Sequence, residues 1–290
     1  LFDQIDSAMN YFYFLFDQPL EELKSLGLYY NSLQYVPAIV DWMRDFVRNW
    51  GKYLSTPDSW NDEYYKNCLW ETRFGLYKGW YEPHTNWHSF NDFFARKLKS
   101  PNMRPIAEPY DDSVVVAPAD SCPRGTWKID NDSMIISTDG VPIKSTKYSS
   151  IKNLLGNSSN YLDVFAGGTL THTYLNEGDY HRYHFPVSGY IKEAKIIEYG
   201  ATGGGIQRWD KEQQLYLLDD KEPGWQILEA RGLVILETTR YGLVAVMPIG
   251  MAQVGSVNFE DCSTFLVEIV LPSFIDSTIT LVFNVLIALI

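Results

Sequence analysis

Apolar residues recur at helical spacing through the first hundred residues and then change rhythm. Leu20, Leu23, Leu26 and Leu28 follow Pro19. Ala38, Val40, Trp42, Met43, Phe46, Val47 and Trp50 return every three or four positions, which predicts an amphipathic helix. The run Ser59-Trp60-Asn61-Asp62-Glu63 reads as another helix start, with a Ser and an Asp placed as in a capping box. A further helix is expected over residues 87–96, capped by Ser89 or Asn91. From about residue 113 short β-branched runs take over, at 114–116, 134–136, 190–191, 233–236 and 243–246, with Gly, Pro, Asn and Asp between them. One short helix is predicted at 150–155, and Gly203-Gly204-Gly205 reads as a flexible turn outside the strand–loop–helix setting of a phosphate cradle. The pattern predicts an α+β chain. A helical lead segment spans 1–105, a β-rich domain 106–283 and an apolar tail 284–290.

Composition narrows the function classes. An apolar fraction of 46% with 15% aromatics is enough for a core and argues against disorder. A net charge of −12 disfavours nucleic acid and gives no overall attraction to an anionic membrane. The basic run Arg96, Lys97, Lys99 and Arg104 is a local patch able to meet either, and reads first as a solvated helix face. Cys68, Cys122 and Cys262 are far apart and odd in number, which fits a reduced compartment better than a disulfide framework, and each reads as a small core residue. No signal-peptide pattern is visible, and the chain starts Leu1-Phe2-Asp3 without a methionine, so a fragment or trimmed chain is expected. The apolar end 279–290 is too short for a membrane helix.

The stretch richest in chemistry is 167–189, GGTLTHTYLNEGDYHRYHFPVSG. It sets His181 and His184 around an arginine just after Asp179, with Gly178, Pro186 and Gly189 as breakers. A loop presenting the two imidazoles side by side is expected. Imidazole is the side chain best suited to proton transfer near neutral pH. The H-x-x-H spacing is poor evidence for zinc, because no Cys pair or further His is near enough to complete a tetrahedral set. No metal is expected.

Three other stretches stand beside it: FNDFFARKLKSPNMRPI at 90–106, VVVAPADS at 114–121 and VAVMPIGMAQVGSVNFED at 244–261. In this order and spacing the four resemble the phosphatidylserine decarboxylase family, over about residues 87–261. The lead segment resembles that of a branch including fungal aromatic amino-acid decarboxylases. The resemblance implies a β-rich pyruvoyl-decarboxylase domain and a carboxy-lyase made as a zymogen. A serine attacks the preceding carbonyl, the chain splits into α and β fragments, and a covalent pyruvoyl group remains as electron sink. The implied substrate is phosphatidylserine, giving phosphatidylethanolamine in phospholipid biosynthesis. A free aromatic amino acid of the tryptophan type is the alternative, and an uncleaved lipid- or partner-binding protein is a third reading. A cytoplasmic or membrane-peripheral protein is expected, with membrane contact and homo-oligomer formation among its partnerships.

The resemblance also assigns roles. Asp120, in Pro118-Ala119-Asp120-Ser121, matches the family's acid, and His184 matches the general base that activates the serine. Asp120 is expected to hold the His184 imidazole in one tautomer. His181 matches the position linked to substrate binding and proton return. Gly167, Gly168, Tyr180, Met251, Gly255 and Ser256 are expected to line the pocket, with Ala252 beside them. The nucleophile and pyruvoyl precursor is expected at Ser277, where the chain departs from the family. Asp276 stands in the place of a Gly, and an upstream Lys-Gly-Asp turn is missing. Gly reaches the strained conformation for serine attack cheaply; Asp tolerates left-handed geometry but sets a negative charge beside a developing alkoxide. The resemblance stops abruptly at Asp261, which points to an altered end in the last thirty residues, with a divergent, uncleaved member as the other reading.

Overall fold

A computed structural model describes residues 2–136, 146–259, 266–267 and 284–289. The lead segment holds α1 (Phe2–Phe16), α2 (Pro37–Leu54), α3 (Asp62–Trp70) and α4 (Phe90–Phe94), joined through short 3₁₀ segments. Pro37 starts α2, where its missing N–H costs nothing, and Val40, Met43 and Val47 form the buried stripe. Asn61 caps α3 by accepting from the N–H groups of Glu63 and Tyr64. Ser59, read as part of that cap, instead donates to the Thr56 carbonyl at 2.7 Å and accepts from the Phe90 N–H at 2.9 Å. It therefore ties the entry of α3 to α4, which Ser89 caps as expected. Cys68, Phe74, Trp87 and Phe93 close a small core of their own beneath these helices.

The β-rich part is an antiparallel sheet. Its strands are β1 (Cys122–Ile129), β2 (Ile135–Ile136), β3 (Thr169–Tyr174), β4 (Gly189–Ile197), β7 (Arg231–Thr238), β8 (Gly242–Ile249), β9 (Leu266–Val267) and β10 (Asn284–Leu289). They run in the order β2-β1-β3-β10-β8-β7-β4-β9. The hairpin β5 (Ile206–Asp210) and β6 (Leu215–Asp219) stands apart and packs on α1, with Tyr216 stacked 3.7 Å from Phe14. Two short helices, α5 (Thr146–Ser149) and α6 (Ile151–Leu155), lie between β2 and β3, and Ser150 caps the second. The main core runs from Trp127 and Leu170 to the unbroken apolar runs of β7 and β8, as in strands covered on both faces.

Several expectations change here. Residues 284–289, read as a tail, form a central strand: Asn284 lies opposite Tyr174 of β3 and Ile249 of β8. Residues 114–116 form no ladder; Val116 donates its N–H to the Pro186 carbonyl and the segment runs along the histidine stretch. The three glycines are buried rather than a flexible surface turn. Gly203 donates its N–H to Gln34 Oε1 at 2.8 Å, and the Gly205 carbonyl accepts from the Tyr35 hydroxyl. Gly204 and Gly205 take φ of +64° and +62°, and a Cβ on Gly204 would overlap the Met251 sulfur. Cys68 is buried as expected, Cys122 is exposed, and Cys262 lies outside the described residues.

Candidate active site

One end of the sheet gathers the candidate chemistry. Cys122 at the start of β1 faces Tyr174 at the end of β3, Tyr174 faces Asn284 at the start of β10, and Asn284 faces Ile249 at the end of β8. Asp120 precedes β1, the histidine loop follows β3, and the Met251 turn follows β8. Asp276 and Ser277 lie outside the described residues.

The histidine loop leaves β3 through a turn at 177–179 and continues without ladder bonds to β4. His184 donates its N–H to the Pro118 carbonyl at 2.8 Å, which lays the loop beside the segment carrying Asp120. The imidazoles do not share a setting. His181 is fully buried, stacked 3.9 Å from Phe94 at 21°, with Nε2 3.3 Å from the Glu177 carbonyl. His184 is exposed, and its ring lies 5.8 Å from Tyr180 at 13°.

The basic run is no solvated helix face, because α4 ends at Phe94 and the chain beyond it winds inward. Arg96 is fully buried; its Nη2 donates to the carbonyls of Gly178 at 2.7 Å and Asp179 at 2.8 Å. Arg182 answers by donating Nε to the Ala95 carbonyl at 2.7 Å. Arg104 grips Asp120 with both Nη atoms, one on each carboxylate oxygen, and its guanidinium lies 4.5 Å from the Trp80 ring. Burial alone would lower the Arg104 pKa, but the hydrogen bond and charge of Asp120 hold it above its ordinary value. Burial raises the Asp179 carboxyl, with the charge of Asp120 adding to it and the Asn176 hydrogen bonds and Arg96 opposing. A carboxylate fixed by a guanidinium, next to the loop that bears an exposed imidazole, can orient and support a general base.

The expected pocket residues divide. Tyr180 stacks between Tyr81, at 6.1 Å, and His184. Gly167 and Gly168 do not join the site. They sit at the opposite end of β3, where the Gly167 N–H meets the Asp130 carbonyl and the Ile129 N–H meets that of Gly168, about 20 Å from the loop at strand rise. Met251 is buried and closes a tight turn with Val254, at 3.0 Å from its N–H to the Val254 carbonyl. Ala252, at φ +55°, donates to the Thr202 carbonyl at 2.6 Å. Gly255 lies under α2, where an added Cβ would come 2.5 Å from Val47 Cγ1, and Ser256 is exposed. Thr202 is held by Glu229, which is fully buried and accepts from the Thr202 N–H at 3.0 Å and from its hydroxyl. Burial raises the Glu229 pKa to about 8 against the Thr202 hydrogen bonds and the Arg231 charge.

Sequence reading missed Tyr81, Phe94, Arg96, Arg104 and Glu229 as parts of this end. The available signal was charge embedded in apolar sequence, as in Phe93-Phe94-Ala95-Arg96 and in Glu229 just before β7. Among the described residues no group of three or more His, Cys, Asp or Glu is arranged to hold a metal ion, and no helix is long and apolar enough to cross a membrane.

A family model described as phosphatidylserine decarboxylase matches residues 90–284. The phosphatidylserine decarboxylase proenzyme of Fusobacterium nucleatum is 30% identical over 236 residues, covering 79% of this chain and 69% of its own length. That of Hamiltonella defensa is 29% identical over 185 residues, covering 64% of this chain and 57% of its own. Phosphatidylserine decarboxylase proenzyme 2 of Oryza sativa subsp. japonica is 28% identical over 222 residues, covering 77% of this chain and 32% of its own. The chain thus spans between a third and two thirds or so of these relatives' lengths.

Proposed function

The chain belongs to the phosphatidylserine decarboxylase family, and from that premise we propose that it converts phosphatidylserine to phosphatidylethanolamine after cutting itself at a serine that becomes a pyruvoyl group. The observation that supports the reading is the hydrogen bond from His184 N–H to the Pro118 carbonyl, which lays the His184 segment beside the Asp120 segment at the sheet end where β10 begins. The relatives' names support the phospholipid over a free aromatic amino acid. A bilayer substrate calls for contact with a membrane surface.

Each residue then has a task. His184, open to solvent, takes the proton from the serine hydroxyl as it attacks the preceding carbonyl. Asp120, fixed in plane by the two Arg104 Nη groups, orients and supports the charged imidazole. His181, seated against Phe94, holds a proton for return to the substrate carbon after carbon dioxide leaves. The pyruvoyl group supplies the electron sink that the polypeptide lacks.

Intact mass and carbon dioxide release test this together. The chain is expected to split near Ser277 and to release carbon dioxide from phosphatidylserine vesicles, and not from free tryptophan. His184→Ala and Asp120→Asn are expected to leave one band. His181→Ala should split normally and lose turnover. A wild-type chain that stays whole at 33.4 kDa and is inert on vesicles would sink the reading.

A further inference from the structure

We infer that Arg96 is a positioning residue for the two histidines, acting from the lead segment on the loop that carries them. What the histidines then accomplish rests on the function proposed above; the positioning itself rests on geometry. Three consecutive residues at the end of α4 each hold a piece of the loop. Phe94 stacks on His181, the Ala95 carbonyl takes the Arg182 Nε–H, and Arg96 ties the carbonyls of Gly178 and Asp179. Those carbonyls lie three and two residues before His181.

The guanidinium is an expensive choice for such a place. It has no solvent exposure, and its hydrogen-bond partners are backbone carbonyls and Tyr81 rather than a carboxylate, with the Asp179 charge adding support: the Tyr81 ring lies 4.6 Å from it and that of Phe93 5.2 Å. An apolar side chain could fill the volume. One nitrogen, Nη2, holds both successive carbonyls, and the planar guanidinium fixes its direction in a way that a flexible ammonium does not. Burial lowers the Arg96 pKa, and Tyr81 opposes this by favouring the charged form, as it also does for Arg104. Tyr81 in turn stacks on Tyr180, and Tyr180 on His184. Arg96 therefore reaches His181 through the loop backbone and His184 through the ring column, while Arg104, which the same tyrosine also supports, fixes Asp120.

Arg231 offers the comparison. It is equally buried and donates to the carbonyls of Leu154, Asn153, Ile227 and Glu229, but none of these belongs to the loop. With the full chain labelled at the histidine rings with ¹⁵N, Arg96→Lys is expected to move the ring signals of both His181 and His184 while those of His84 and His88 stay. Arg231→Lys should lower the melting temperature by a similar amount and move neither. In chain that has split, Arg96→Lys should lower kcat about 100-fold and leave KM within about twofold. If Arg96→Lys does not fold, Tyr81→Phe keeps the ring column, removes the hydroxyl facing Arg96, and should move the His184 signal. Variants that melt like Arg231→Lys with both histidine signals unmoved would overturn the inference. A wild-type chain that neither splits nor decarboxylates defeats the functional reading alone, and the histidine spectra still decide for or against Arg96.

Discussion

A carboxyl group with no exposure, such as that of Glu229, gains little from ionising and much from keeping its proton. Burial raises its pKa from 4.5 to about 8, while the Thr202 hydrogen bonds and the Arg231 charge pull the other way. The groups facing it are Tyr13 from α1, Tyr35 and Arg231, whose own pKa burial lowers to about 10. The folded chain holds this proton up to about pH 8, and the unfolded chain releases it near 4.5. Between those values the folded state binds more protons, so stability falls as pH rises through the window and levels off above it. Glu229→Gln keeps an acceptor for Thr202 and removes the titration. Melting temperature plotted against pH should slope downward across the window for wild type and flatten there for the variant; equal slopes would refute the assignment. Gly178 sets a second constraint of this kind, since a Cβ there would come 2.7 Å from the Arg73 carbonyl oxygen and 2.9 Å from its carbon. That obstacle is backbone and cannot swing aside. Gly178→Ala should cost about 1–3 kcal/mol in denaturant melts and slow self-cleavage, because the displaced carbonyl is one that Arg96 holds.

At the scale of elements, what the sequence reveals follows how local the cause is. The spacing of Val40, Met43 and Val47 marks the buried stripe of α2, and the β-branched runs mark β7 and β8, because one face or both faces of each are apolar. The histidines and Asp120 are legible as motif positions, and a backbone hydrogen bond lays the His184 and Asp120 segments side by side. Non-local pairing is silent. Nothing in Asn-Val-Leu-Ile-Ala-Leu says that β10 enters between β3 and β8. Gly167 and Gly168 are near the histidines in sequence and far in space because all of β3 intervenes. The run from Arg96 to Arg104 misleads for a related reason: its helix stops at Phe94, so no helical period applies beyond it. The contact between α2 and the Gly255 turn is equally silent and can be measured. Gly255→Ala forces a Cβ to 2.5 Å from Val47 Cγ1, with an expected cost of about 1–3 kcal/mol. Val47→Ala removes the obstructing methyls at its own cost of about 1 kcal/mol or more. The double variant should be more stable than the sum of the singles predicts, by roughly 0.5 kcal/mol or more. Additivity would mean that α2 does not rest on that turn.

For the whole molecule, the two halves suggested by the change of rhythm near residue 105 share their buried polar bonds. Asp17, at the end of α1, accepts from Ser32 and Gln34 and from the Gln207 N–H at 2.5 Å. Gln34 reaches across to the Gly203 N–H, and a Cβ on Gly200 would overlap Val40 of α2. Arg96 and Arg104 carry the same dependence to the active end. A β-rich part without the lead segment would leave the Gly203 and Gln207 N–H groups without these partners and the histidine loop without its arginine. Each unsatisfied buried group costs about 1–3 kcal/mol, against a typical total stability of about 5–15 kcal/mol. We therefore expect one cooperative unfolding transition for the intact chain, seen alike by near-ultraviolet dichroism and tryptophan fluorescence. Gln34→Ala should move that single transition to lower denaturant without splitting it, because the bond it removes belongs to both halves. A chain beginning after residue 105 should lack near-ultraviolet dichroism and bind a hydrophobic dye. Two separate transitions, or a shortened chain that folds with its sheet intact, would instead make the lead segment an independent domain whose loss the active end survives.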